Sequence, residues 1–194
     1  AQMKETLHRA VSLQPEHFSC YSLKVEEGTL FYHLEEIGQL PLPSEEDEFA
    51  MYQLIRNYLC QEGYDQYEIS NFAKIGRESK HNSTYWRNKP YYGFGAGAHG
   101  YVHSIRHANI KGIKDYIAKI NQVQRPILQQ EKIGIREQME NYFILGLRLL
   151  EGVSLRQFQI QFGQPAEKVF GEVLDDLLNK KFLCIDGDII RLTK

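Results

Sequence analysis

The chain has 194 residues, 42% of them hydrophobic and 25% charged, with a formal net charge of -2. That is enough apolar material for a real core, which excludes a disordered chain. The near-neutral balance excludes nucleic acid or an anionic membrane as an obvious main partner.

The first residues form an amphipathic helix, with Met3, Leu7, Ala10 and Val11 at helical spacing and Pro15 ending it. HFSCYSLKV, 17–25, reads as a buried strand. A short helix is expected near Leu30–Ile37, then a proline-bearing loop, GQLPLP. Ser44 caps a further helix, with Asp47 three residues on and four acids at its positive end. Gly63 stops it, and YDQYEIS, 64–70, is a second strand. This α-β-(short helix)-α-β rhythm suggests a parallel sheet covered by helices. Two strands are too few for such a sheet, and there is no initiating Met, so earlier strands are expected upstream.

Further on, 102–110 reads as one strand and Ile113–Ile120 as a short helix, and QRPILQQEK reads as a linker. A long helix follows from about 133 and ends at Gly152. Helices from Ser154 to Phe162 and over PAEKVFGEVLDDLLNKK follow it. FLCIDGDIIRLT is then a hairpin turning at Asp186–Gly187. Three helices and a hairpin give a winged-helix outline. Its third helix carries Glu167, Glu172, Asp175 and Asp176, the wrong sign for phosphate, so nucleic acid is not an expected partner. No apolar run reaches about 18 residues, so no transmembrane segment is expected, and peripheral membrane contact stays open. Cys20, Cys60 and Cys184 are far apart and form no CxxC, which suits reduced thiols in the cytoplasm.

The chemistry concentrates in ESKHNSTYWRNKPYYGFGAGAHGY, 78–101. It holds His81, Asn82, Tyr85 and Trp86 just after the second strand, where ligand-binding loops of α/β sheets sit. A histidine beside an asparagine can be oriented by hydrogen bonding, and aromatic rings can cover a flat ligand; the same residues could equally pin a long loop. Gly93, Gly95, Gly97 and Gly100 permit close approach to a ligand or to another strand. His99, His103 and His107 repeat every four residues, but Gly100, Val102 and Ile105 oppose a helix, so no structural metal is expected. A single haem-ligating histidine needs only one exposed ring nitrogen and an apolar slot. His81 and His99 are the candidates.

YEISNFAKIGRESKHNSTYWRNKPYYGFGAGAHGY and SCYSLKVEEGTLFYHLEEIGQLPLPSEEDEFAMY resemble the HemW family, radical-SAM relatives of the HemN oxygen-independent coproporphyrinogen III oxidases. The HNxxYW motif at His81, Asn82, Tyr85 and Trp86 points to the HemW side. The resemblance implies an α/β fold: the last part of a partial (β/α)6 radical-SAM barrel over 1–124, then a winged-helix-like HemN C-terminal domain over 125–194. It implies haem as ligand, delivered to a haem-requiring protein. S-adenosylmethionine and a [4Fe-4S] cluster on CxxxCxxC belong to full-length members. This chain has no CxxxCxxC, so radical chemistry is not expected of it alone. By resemblance His81, Asn82, Tyr85 and Trp86 face haem, with His81 on the iron, and Lys24 and His99 lie on the S-adenosylmethionine side. The alternative is a fragment of an oxygen-independent coproporphyrinogen III oxidase.

Overall fold

The computed structural model describes residues 2–193. Helix α1, Gln2–Ser12, lays Leu7 against helix α3, Glu45–Gln61. Leu59 on α3 is fully buried beside Tyr64 and Phe72, and these four side chains are the core of the first unit, Ala1–Ser79. Burying each contributes about 1.5–3 kcal/mol. Ser44 caps α3 as expected. Its hydroxyl accepts from the Asp47 amide at 3.1 Å and donates to the Asp47 carboxylate at 3.0 Å. Between α1 and α3, helix α2 spans Leu30–Glu36, capped by Thr29.

Strands β1, His17–Ser19, β2, Asp65–Glu68, and β3, Asn71–Ala73, form one small sheet in the order β1-β3-β2. The expected strand over 17–25 is regular only to Ser19, and Tyr21 to Lys24 are exposed. The parallel rhythm is corrected too. β3 pairs antiparallel with both neighbours, so β1 and β2 point the same way but never touch as a ladder. Tyr64 locks the entry to this sheet, donating its hydroxyl to the Pro15 carbonyl at 2.7 Å.

The second unit, Lys80–Lys194, begins with helix α4, Lys80–Trp86. The stretch expected as a loop is therefore helical. Strands β4, His99–Val102, and β5, Ile105–Asn109, replace the single strand expected over 102–110. They turn at His103 and Ser104, both left-handed, with φ of 52° and 58°. The expected linker is strand β6, Ile127–Lys132, paired along β5 after helix α5, Ile113–Asn121. Pro126 is tolerated because it precedes the strand and its carbonyl accepts from the Ile110 amide at 2.8 Å.

Helix α6, Ile135–Gly146, stops six residues before the expected Gly152. Gly146 packs so tightly that a Cβ there would sit 2.2 Å from Val153 Cγ1. Strand β7, Val153–Ser154, and helices α7, Leu155–Phe162, and α8, Ala166–Asn179, follow. Strands β8, Leu183–Asp186, and β9, Ile189–Leu192, complete the hairpin. Its two-residue turn is Gly187–Asp188, one place later than expected, and β7 adds a third strand in the order β7-β9-β8. Phe143, Phe158, Leu174, Leu183 and Ile190 centre this core. Tyr142 closes it, donating its hydroxyl to the Ser154 carbonyl at 2.8 Å. No helix among the described residues is long and apolar enough to cross a membrane.

Candidate functional site

Helical spacing puts His81 and Tyr85 on one face of α4. Their side chains share a hydrogen bond, Nε2 to phenol oxygen, at 2.9 Å, and their rings meet edge to face at 4.7 Å. Tyr85 in turn meets Tyr91 edge to face at 4.4 Å. Tyr91 is held by a two-way backbone bridge to Tyr101, at 2.8 and 2.9 Å. Burial pushes the Tyr91 phenol above its ordinary range, the Tyr85 phenol adds to that, and Arg106 opposes it. Tyr85, Tyr91, Tyr101 and Arg106 border a cavity of about 220 Å³. His81 itself is exposed, with its Nε2 engaged by Tyr85.

The rest of HNSTYW faces elsewhere. Ser83 is buried and Asn82 half-buried. Trp86 stacks on the Arg148 guanidinium, 4.3 Å from its ring centre, and Arg87 pairs with Glu151 at 2.9 Å. These contacts fasten α4 to the segment after α6. His81, Tyr85 and Tyr91 therefore form one cluster, and Trp86 belongs to another.

The glycine-rich loop approaches its own protein. A Cβ on Gly93 would lie 2.2 Å from the His99 carbonyl oxygen, and one on Gly100 would lie 2.2 Å from the His107 ring. Buried Asn109 donates from Nδ2 to the carbonyls of Gly93 and Gly95, at 3.1 and 3.0 Å. The sequence left open whether the glycines admit a ligand or a strand; at these two positions the close neighbour is the β4–β5 hairpin.

His99 is exposed at the start of β4, opposite Ala108. Lys24 lies in the other unit, exposed and paired with Glu26 at 3.0 Å. His103 stands at the hairpin tip and His107 on β5, and among the described residues no group of three His, Cys, Asp or Glu could hold a metal.

Sequence reasoning missed a buried polar cluster in the first unit. Glu68 and Asn71 are both fully buried. The Glu68 carboxylate accepts from the Asn71 side-chain amide, and from the Ser70 amide at 2.9 Å. Ser19 donates to Asn71 Oδ1 at 2.6 Å. Nearby, His17 Nε2 meets the Tyr67 hydroxyl at 2.9 Å. Burial lowers the His17 pKa below its ordinary 6.5, against the raising effect of Glu68. The available signal was an acid and an amide three residues apart inside the short stretch YEISNFA.

Known proteins give this geometry a context. The HemN C-terminal domain family matches residues 136–194. The Bacillus subtilis protein named heme chaperone HemW is 42% identical over 98% of the chain and 50% of its own length. Its Lactococcus lactis namesake is 38% identical over the same shares. Over almost all of its length the chain is similar to proteins named heme chaperone HemW, and residues 136–194 match the HemN C-terminal domain. It spans about half the length of these HemW relatives. The structure of coproporphyrinogen III oxidase HemN from Escherichia coli superposes with a TM-score of 0.73 over 98% of the chain and 47% of its own. At 16% identity that HemN likeness concerns the fold.

An iron–sulfur cluster of the radical-SAM kind does not fit the cysteines of this chain. Such a cluster needs neighbouring thiolates. Cys60 is exposed on α3, Cys184 is in the other unit on β8, and burial pushes the Cys20 thiol up, away from the thiolate form.

Proposed function

We propose that this chain is part of a haem-binding protein that delivers haem to haem-requiring proteins in the cytoplasm, and that His81 is its iron ligand. The observation that carries the reading is the exposed His81 ring on α4, with Tyr85 and Tyr91 packed behind it. The relatives named heme chaperone support it. Haem supplies an open iron position and a flat apolar face. The chain supplies one imidazole and two phenol rings; Asn82 and Trp86 complete the same motif, and Trp86 fastens α4 through its stack on Arg148. Lys24 and His99 are assigned to the side that meets S-adenosylmethionine in the whole protein. Residues 1–124 are assigned to the barrel part and 125–194 to the C-terminal domain. No step of radical chemistry falls to these residues.

Titration of the 194-residue chain with haem, followed by absorbance, tests the ligand. Wild type gives a saturable Soret shift, and His81→Ala loses it while His99→Ala keeps it. A shift unchanged in His81→Ala removes His81 as the ligand.

A further inference from the structure

Helix α5 stands apart from both cores, and none of its residues is buried. Tyr116 moors it. That side chain is half-buried, and its hydroxyl accepts from the Gly95 amide at 3.1 Å. Tyr116 and Ile120 line a recess between α5 and β6, together with Arg125 and Ile127. Ile113, Ile117 and Ile120 fall at i, i+4 and i+7, which is one face of a helix, and all three are exposed. A row of isoleucines left in water is the mark of a surface that meets something.

Val123, just past the helix end, is an independent sign. It is 95% exposed and left-handed, with φ of 57°. Its amide donates to the Ile120 carbonyl and the Gln124 amide to the Lys119 carbonyl, each at 2.9 Å, the two bonds of a Schellman cap. Glycine is the usual residue at that place, and a β-branched side chain is strained there. The fold keeps an apolar side chain at a strained position where its own atoms scarcely cover it. The charge around this face has one sign. From Ile110 to Pro126 the cations are Lys111, Lys114, Lys119 and Arg125, against the single acid Asp115, in a chain whose net charge is -2. Lys119 donates to the neutral Gln124 side chain at 2.8 Å, which leaves its charge in place. Phe94, 85% exposed, lines the same recess as Ile120.

We propose that α5 docks the protein on an anionic lipid bilayer. Its isoleucines and Val123 enter the boundary between headgroups and acyl chains, and the lysines and Arg125 meet lipid phosphates. An apolar helix face flanked by lysines is the pattern of a helix that lies in a membrane surface. Charge decides against a second copy of this chain as the occupant, because two such faces would bring like cations together. The proposal does not depend on His81 or on haem.

The test is co-sedimentation of the 194-residue chain with vesicles of mixed phosphatidylglycerol and phosphatidylcholine, beside vesicles of phosphatidylcholine alone. Wild type sediments with the anionic vesicles and is released by salt, and it binds the neutral ones far more weakly. Lys114→Gln weakens binding about fivefold, as expected for one charge at an anionic surface. Ile117→Ser weakens it about tenfold by removing apolar contact. Val123→Gly weakens it about fivefold and yet raises the melting temperature, because it relieves the left-handed strain. That opposition separates docking from stability, since a variant that folds better cannot lose binding by unfolding. No binding to anionic vesicles overturns the proposal, as does equal binding to neutral ones or unchanged binding by Ile117→Ser or Val123→Gly. A lipid-free dimer that dissociates in Ile117→Ser also overturns it, and assigns the face to a second copy.

Discussion

At the scale of single residues, Tyr85 holds the ring nitrogen that iron ligation through Nε2 would use. Tyr85→Phe frees that nitrogen at the cost of one exposed hydrogen bond, a change of about 1 kcal/mol. With His81 as ligand through Nε2, the variant binds haem up to about fivefold more tightly than wild type. Weaker binding in the same titration places the iron on Nδ1, with Tyr85 as the group that orients the ring. Gly100 tests the hairpin instead. An added methyl group there meets the His107 ring at 2.2 Å and the Gly93 amide nitrogen at 3.0 Å. Gly100→Ala therefore lowers stability by about 1–3 kcal/mol, seen as a lower melting temperature. His17 sets a pH dependence. Its folded-state pKa lies below 6.5, so the unfolded chain takes up the proton first as pH falls. The contribution is full above about pH 6.5 and is lost as pH drops toward the lower folded value. Urea midpoints at pH 7.5 and 5.5 should therefore differ more for wild type than for His17→Gln.

At the scale of elements, the sequence was legible wherever a local rule decided the outcome. Ser44 and Asp47 announced the start of α3, Ser154 and Gly163 bracketed α7, and both ends follow from capping chemistry. It was illegible where tertiary contacts decide. The β4–β5 turn is built from His103 and Ser104 without the Asn-Gly or Asp-Gly pair that marks a two-residue hairpin turn, so nothing marked a break inside 102–110. α4 is only seven residues long, too short to hold without packing, and Trp86 on Arg148 supplies that packing from more than sixty residues away. The candidate site shared this split. The His81–Tyr85 pairing follows from helical spacing once the helix is known, but the recess between α5 and β6 depends on β6, which a proline had disguised as a linker.

At the scale of the molecule, two units with separate cores divide the chain. The second depends on a knot of aromatic rings in which Phe158, fully buried, touches Tyr142, Phe143, Phe162 and Phe170. Phe158→Ala empties the centre of that knot and costs about 3–5 kcal/mol, measured as a fall in the urea midpoint of the second unit's unfolding. α4 is fastened to this unit through Trp86, and that contact has a practical use. Trp86 is the chain's one tryptophan. Its ring lies under a guanidinium, on the same short helix as His81. Intrinsic indole fluorescence therefore comes from a single address. An absorbing guest seated at His81 would quench that emission by energy transfer, and loss of the Arg148 stack would shift its colour. The protein carries its own optical probe of the helix on which its proposed function rests.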